Sequence, residues 1–305
     1  MPLTTTKEML QAALEGHFAV GAFNANNMEM VQAIVEAATE ERAPVILQVS
    51  QGAIRYAGLS FAAGLVKIAA AIADVPVALH LDHGTDFEQN VLCLREGFTS
   101  LMYDGSSLTL EENIQNSKRV CDIAHICGIP VETELGKVLQ RGATPEQVEA
   151  AMAKPEEARR FIEQTGADSL AIAIGSVHAL LSQAADLDIE RLKAVHQAIP
   201  TTPLVLHGSS GVKEDNIGDA MDNGICKVNV ATYLSQAFTG ALLEHLKAHP
   251  SDVDPRAHLV PAREAAKERV REKIRLFRSN GTIATGGGFK SPPTQHRVAE
   301  IGEAE

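Results

Sequence analysis

Short runs of branched and apolar residues recur along the chain, each followed by a longer stretch whose apolar positions repeat with helical spacing. Eight such runs stand out: VGAFN (20–24), PVILQVS (44–50), VPVALHLDH (75–83), SLMYDG (100–105), PVETELG (130–136), SLAIAIGS (169–176), TPLVLHGS (202–209) and CKVNVAT (226–232). The stretches between them predict helices over 27–42, 59–73, 85–97, 110–127, 155–166, 189–198 and 213–223. Alternation of this kind predicts parallel βαβ units rather than an antiparallel meander. Eight units predict an α/β fold of the (β/α)8 barrel (TIM barrel) type, for which about 250 residues is typical. A helix beginning near Ala231 and another over 261–278 follow the last strand, so one barrel domain is expected in residues 1–280 and a flexible Gly- and Pro-rich tail in 281–305.

Composition narrows the class of partner. Apolar residues make up 45% and charged residues 22% of 305, which excludes disorder, collagen and coiled-coil arrays as the main architecture. Lys and Arg number 27 against 39 Asp and Glu, a formal charge of −12. Such a field repels nucleic-acid backbones and anionic membranes, so neither is expected as a partner, and an anionic substrate must meet a local site. The four cysteines, Cys93, Cys121, Cys127 and Cys226, form no Cys-x-x-Cys pair and read as buried thiols in a reducing compartment. The N-terminus lacks the basic start and apolar core of a signal peptide, and no apolar run approaches the roughly 20 residues of a membrane span. A cytoplasmic location is expected. Toward the end, Glu264 with Lys267, Glu268 with Arg271 and Glu272 with Arg275 read as a solvated helix face, and Gly286–Gly288 lack the Lys-Ser/Thr of a phosphate-binding loop.

The strand ends carry the polar residues: Asn24, Ser50, Asp82 with His83, Asp104, Glu134 and Asn229, with His178 and His207 at or just beyond theirs. Inward positions of a barrel are expected to be branched and apolar, so polar residues at the carboxyl ends mark the active-site face. His80, one step inside its strand, reads as structural. His83, His178 and His207 end the third, sixth and seventh strands, and a barrel brings them together over its mouth. Three neutral imidazoles with one open position form a catalytic zinc site. Asp82 then either shuttles a proton to substrate oxygen or orients an imidazole. Glu132 and Glu134 share a strand face, with Asp104 on the neighbouring strand; a second cation site and simple hydrogen-bonded carboxylates are equally open. HGSSG (207–211) and NVAT (229–232) sit where barrels build phosphate sites from backbone N–H groups.

The order AFNANN, PVILQVS, HLDHG, the Asp104 strand, VETELG, GADSLAIAIGSVH, LVLHGSSG, KVNVAT and DPR…PAREA resembles the class II, metal-dependent ketose-bisphosphate aldolases of the fructose- and tagatose-bisphosphate branch, over roughly residues 5–280. The resemblance implies a lyase that reversibly cleaves a phosphorylated ketose to dihydroxyacetone phosphate and an aldehyde, in glycolysis or related carbohydrate metabolism, as a homodimer or homotetramer. It implies that His83, His178 and His207 bind zinc, that Asp82 shuttles the proton at the aldehyde oxygen, and that Asn229 holds the enediolate. It further implies a phosphate cradle of Gly208, Ser210, Ala231 and Thr232, and accessory positions at Glu134 and Asp104 for a second divalent or a monovalent cation. Asn24 and Ser50 are expected to contact substrate.

The chain departs from the family in three places. The family's Gly-Gly-x-Glu loop after ELG is replaced by KVLQRGATPEQVEAAMAK, in which Glu146 and Glu149 are the only acids and read as solvated helix residues ahead of substitutes. His-Gly after strand six is His178-Ala179, with Ser182 where the family has a phosphate-site Lys, and the tail is longer. The alternatives are an aldolase for a different ketose or aldehyde and a silent metal-binding paralogue subunit. A zinc hydrolase would need a His-x-His on strand one, which VGAFN lacks.

Overall fold

The computed structural model describes residues 3–178, 185–284 and 288–289, without the side chain of His178. Each of the eight apolar runs contains a strand: β1 (Val20–Asn24), β2 (Val45–Ser50), β3 (Val77–Asp82), β4 (Leu101–Tyr103), β5 (Val131–Leu135), β6 (Ser169–Ile172), β7 (Leu204–Leu206) and β8 (Ile225–Val230). The sheet runs β3-β2-β1-β8-β7-β6-β5-β4 with all neighbours parallel. Its two edges meet through parallel bridges between His80 and Ser100 and between Gly84 and Tyr103, giving a nearly closed barrel. Gly84 permits that closure, because a Cβ there would stand 2.5 Å from the Met102 carbonyl oxygen. A separate two-residue ribbon pairs Leu139–Gln140 with Val177–His178.

Twelve helices are described: α1 (Thr6–Gly16), α2 (Met28–Glu41), α3 (Gln51–Ala57), α4 (Leu59–Ile72), α5 (Phe87–Arg95), α6 (Leu110–Ile126), α7 (Pro145–Ala151), α8 (Pro155–Thr165), α9 (Ile189–Ala198), α10 (Glu214–Asp222), α11 (Thr232–Ala248) and α12 (Pro255–Leu276). The expected starts carry their chemistry: the Asn27 side chain accepts from Met30 N, the Asp86 side chain accepts from Gln89 N, and Thr109 with Glu112 forms a capping box. The last helix begins six residues before the expected 261. Asp254 caps it and Pro255 takes its first position, leaving Pro261 inside, where its ring removes one ladder hydrogen bond. No single helix among the described residues is long and apolar enough to cross a membrane.

The interior is layered differently from the expectation of branched apolar filling. At the N-terminal end Val20, Ala22, Ile46, Ala78 and Cys226 meet Met9, Leu10 and Ala13 of α1, a helix that closes this end. Above that layer the side chains turn polar. Gln48, His80, Glu132 and Lys227 are all buried one step below the strand ends. An irregularity between Ile225 and Lys227 in the pairing of β8 with β7 lets Cys226 join the apolar layer while Lys227 joins the polar one. Ile283 is buried and Phe289 packs against the core, so this part of the segment assigned to the tail lies on the barrel; residues 290–305 are outside the described set.

Candidate active site

A buried ionic layer forms the floor of the barrel mouth. The Lys227 ammonium, fully buried, stands 2.8 Å from Glu132 Oε2 and donates to Asn229 Oδ1 at 2.7 Å. Glu132 Oε1 lies 2.9 Å from His207 Nε2, and His80 Nε2 is 3.7 Å from Oε2 of the same carboxylate. Burial disfavours a carboxylate here, yet Lys227 first, then the bond to His207, holds Glu132 ionised well below the usual range. For His80, burial and then Lys227 drive the pKa down to about 3, so the ring is neutral, with Nδ1 2.8 Å from the Ser100 hydroxyl. His80 is structural, as expected. Glu132 is no cation ligand: its charge is already matched by a protein ammonium.

Sequence reasoning missed Lys227. The signal was a charged residue two positions before Asn229, hence on the same strand face, in an otherwise apolar run.

Above the floor three donors converge. His83, Glu134 and His207 each offer an atom, all within 4.8 Å of one another. Glu134 Oε2 lies 3.5 Å from His207 Nδ1 and 3.8 Å from His83 Nδ1, and is buried with no hydrogen-bond partner among the described residues. An orphaned carboxylate oxygen between two imidazoles suits a shared divalent cation, and the nitrogen and oxygen donors suit zinc. His83 sits at φ +50°, an uncommon conformation for a side chain of its size, in the turn leaving β3. Its Nδ1 is 2.7 Å from Asp104 Oδ2, and Asp104 also accepts from Ser106 Oγ at 2.7 Å. Burial opposes the His83 charge, but Asp82, the bond to Asp104 and Glu134 together raise its pKa to about 10. His207 shows the same balance: burial opposes, and the bond to Glu132 with the Glu134 carboxylate 3.5 Å away prevails, so its pKa is raised. The His178 backbone lies in the short ribbon beside Gln140, and its side chain falls outside the described residues. Ala179 and Ser182 fall outside them as well.

Asp82 ends β3, buried, and accepts from Asn229 Nδ2 at 3.2 Å. Both line a cavity of about 160 Å³ with Asn24, Gln48, His83, Gly208, Ser210, Ala231 and Thr232. Gly208 adopts φ +67°, which only glycine takes at little cost, and leads into the short turn at Ser209–Gly211. Ala231 precedes the first residue of α11, Thr232, so this cavity has a helix N-terminus on one side. Ser50 lies apart from this group. It caps α3 by accepting from Ala53 N at 3.2 Å, and with Asn24, Tyr56 and Phe238 it lines a wider cavity of about 510 Å³. Asn24 touches both cavities, and its Oδ1 accepts from Gln48 Nε2 at 2.7 Å. A third cavity, about 400 Å³, joins His83, Asp104, Ser106, Glu134 and Thr232 to Lys137, Val138 and Gln140 of the loop after β5.

That loop folds back on the barrel as α7. A capping box of Thr144 and Gln147 starts it, and none of its residues is buried. Glu149 accepts from Arg191 Nη2 at 2.6 Å, and neither it nor Glu146 lines any of these cavities. Lys137 does, and sequence reasoning had passed over it.

A parallel (β/α)8 barrel with a cation-capable His/Glu/His set, an acid beside it and a cavity flanked by a helix N-terminus at its mouth has the build of a barrel enzyme's active-site face. The family profile of fructose-bisphosphate aldolase class-II matches residues 4–282. The chain is 41% identical over 304 residues to the fructose-bisphosphate aldolase of Thermus caldophilus, and 42% identical over 287 residues to the probable fructose-bisphosphate aldolase of Bacillus subtilis (strain 168). Each comparison covers 92% of this chain and 99% of the relative. Among solved structures it superposes on the YdjI aldolase of Escherichia coli K12 with a TM-score of 0.81 at 35% identity, covering 92% of this chain and 98% of that one. The chain belongs to the class II fructose-bisphosphate aldolase family, and is a lyase.

Proposed function

We propose that the chain is a zinc-dependent aldolase that reversibly cleaves a phosphorylated ketose of the fructose-1,6-bisphosphate or tagatose-1,6-bisphosphate type to dihydroxyacetone phosphate and an aldehyde. One observation carries this reading: Asp82, Asn229, His83 and the cradle residues Gly208, Ser210, Ala231 and Thr232 line a single cavity. His83, His207 and Glu134 would hold the cation, with His178 as a further ligand implied by the resemblance and Asp104 steadying His83. When bound, the cation polarises the ketose carbonyl and stabilises the negative charge that develops on its oxygen as the C–C bond breaks.

The chain's own residues divide the remaining work. Asp82 takes the proton from the hydroxyl that becomes the aldehyde and returns it in the condensation direction. Asn229 Nδ2, already directed at Asp82, donates to oxygen of the enediolate half. Backbone N–H groups at Gly208, Ser210 and the start of α11 orient the phosphate. Asn24 and Ser50 face the aldehyde half from the wider cavity. The replaced Gly-Gly-x-Glu loop favours one second reading, the same chemistry on a different ketose or aldehyde. A single barrel domain that includes the residues packed on it through Phe289, a cytoplasmic and glycolytic setting, a second divalent or monovalent cation, and assembly as a homodimer or homotetramer belong to the same proposal.

Cleavage of a panel of ketose phosphates, measured as purified, after chelation and after zinc is restored, tests it. Cleavage that chelator abolishes and zinc restores is expected, and the preferred substrate separates the two readings. No cleavage of any ketose phosphate in the zinc-restored protein would overturn both.

A further inference from the structure

The mouth of the barrel is acidic where its substrate is anionic. Asp82, Asp104 and Glu134 line the two cavities that share His83 and Thr232, within a protein of formal charge −12. A phosphate seated there needs a counter-charge, and the topology limits where one can come from, because only the loops after the strands reach this face.

Few cations stand on those loops. The segments after β1, β3, β4 and β6 (25–27, 83–86, 104–109 and 173–188) contain no Lys or Arg, and 179–184 reads Ala-Leu-Leu-Ser-Gln-Ala. After β7, Lys213 is engaged with Asp186 at 2.7 Å. After β2, Arg55 stands on α3, its Nη2 4.0 Å from where a Gly52 Cβ would be, beside the wider cavity and not this one. The floor cation Lys227 is committed to Glu132 and Asn229 beneath the site. The loop after β5 holds Lys137, Arg141 and Lys154, of which Lys154 pairs with Glu157 at 2.9 Å.

Lys137 is the cation that lines the cavity containing His83, Glu134 and Thr232. Its backbone is fixed, since Lys137 N donates to the Ala151 carbonyl at 2.8 Å and Gly136 before it turns at φ +74° against the same segment. Among the described residues no carboxylate lies within ion-pair distance of its ammonium, so the charge is available to a ligand.

We propose that Lys137 binds the phosphate monoester of the ketose and of dihydroxyacetone phosphate, reaching across the cavity to the group cradled by Gly208, Ser210, Ala231 and Thr232. This deepens the aldolase reading and rests on it. It gives the replaced loop after β5 a role in substrate affinity, supplied by its first residue, while its two acids stay outside the cavity.

The test compares the zinc-loaded parent with Lys137→Met and Lys137→Arg, two substitutions at an exposed position that leave the floor untouched. KM for the preferred ketose phosphate should rise by about 10- to 100-fold in Lys137→Met, the range of one charge-assisted hydrogen bond, with kcat within about twofold. Lys137→Arg should recover most of the loss. Calorimetric titration of dihydroxyacetone phosphate into each protein, with and without chelator, should show the same weakening. An unchanged KM and titration in Lys137→Met overturns the proposal, as does a loss confined to kcat, which would make Lys137 a participant in chemistry. If the parent cleaves no ketose phosphate, the aldolase reading fails, and the titration still decides whether Lys137 holds the phosphate ester.

Discussion

Glu132, on β5, and Glu149, on the helix that follows it, each accept a short contact from a cation: Lys227 at 2.8 Å in one case, Arg191 at 2.6 Å in the other. By distance the rim pair is the better one. By environment the order reverses, since the Glu132 and Lys227 side chains are 2% and 0% exposed and that of Glu149 is 63% exposed. Water screens the rim pair, and exposed pairs are worth about 0–1 kcal/mol. The floor is closed to bulk solvent, so each charge is needed by the others. The floor can therefore hold His207 and Asn229 in fixed orientations, whereas the rim can change its sequence without disturbing the barrel.

Lys227→Met should have the largest effect. Glu132 would be left as an uncompensated buried charge, a change that typically costs about 3–5 kcal/mol. Chemical denaturation should show that loss, and Lys227→Met with Glu132→Gln should restore most of it; a single variant as stable as the parent would show that the floor is wet. Next in size is Asp82→Ala. Turnover should fall by about 10²- to 10⁴-fold while metal content and melting stay close to the parent, because inside the fold the change removes one hydrogen bond from Asn229 and a longer 3.9 Å approach to His83.

A pH series separates the two regions again. His80 has a folded pKa of about 3 against an ordinary 6.5. Below 6.5 the unfolded chain takes up a proton that the folded chain refuses, so the stability from this site is complete above 6.5 and is lost as pH falls toward 3. His80→Asn should flatten that part of the urea-midpoint profile. The smallest effect is expected at the rim: Glu146→Gln and Glu149→Gln should each move stability by no more than about 0.5 kcal/mol and leave α-proton exchange of dihydroxyacetone phosphate unchanged. Loss of exchange in either would put that acid in the chemistry and overturn its placement outside the cavities.

Most of the fold was legible because strands buried on both faces read as apolar runs and the helix caps are local signals. The start of α12 was misread because Pro261 resembles a first-turn proline, while Asp254 and Pro255 supply the actual start. Residues at strand ends were legible for a similar reason: period-two spacing puts Asp82, Glu134 and Asn229 at the mouth once a barrel is assumed. The floor was less so. His80, Glu132 and Lys227 lie on three different strands, and their mutual neutralisation exists only after closure. Lys137 was hidden for the opposite reason. An exposed Lys in a loop has no periodic signature, and only its position on the cavity wall distinguishes it from Arg141 four residues on.

On the proposed reading, the buried ionic floor supports a cation site formed by His83, Glu134 and His207 at the mouth. Metal content of purified His207→Ala, measured beside the parent at matched melting temperature, tests it most directly. The parent should carry about one zinc per chain, and the variant should keep its fold but lose most of the metal and all cleavage. A folded His207→Ala with the parent's metal content and activity would contradict it.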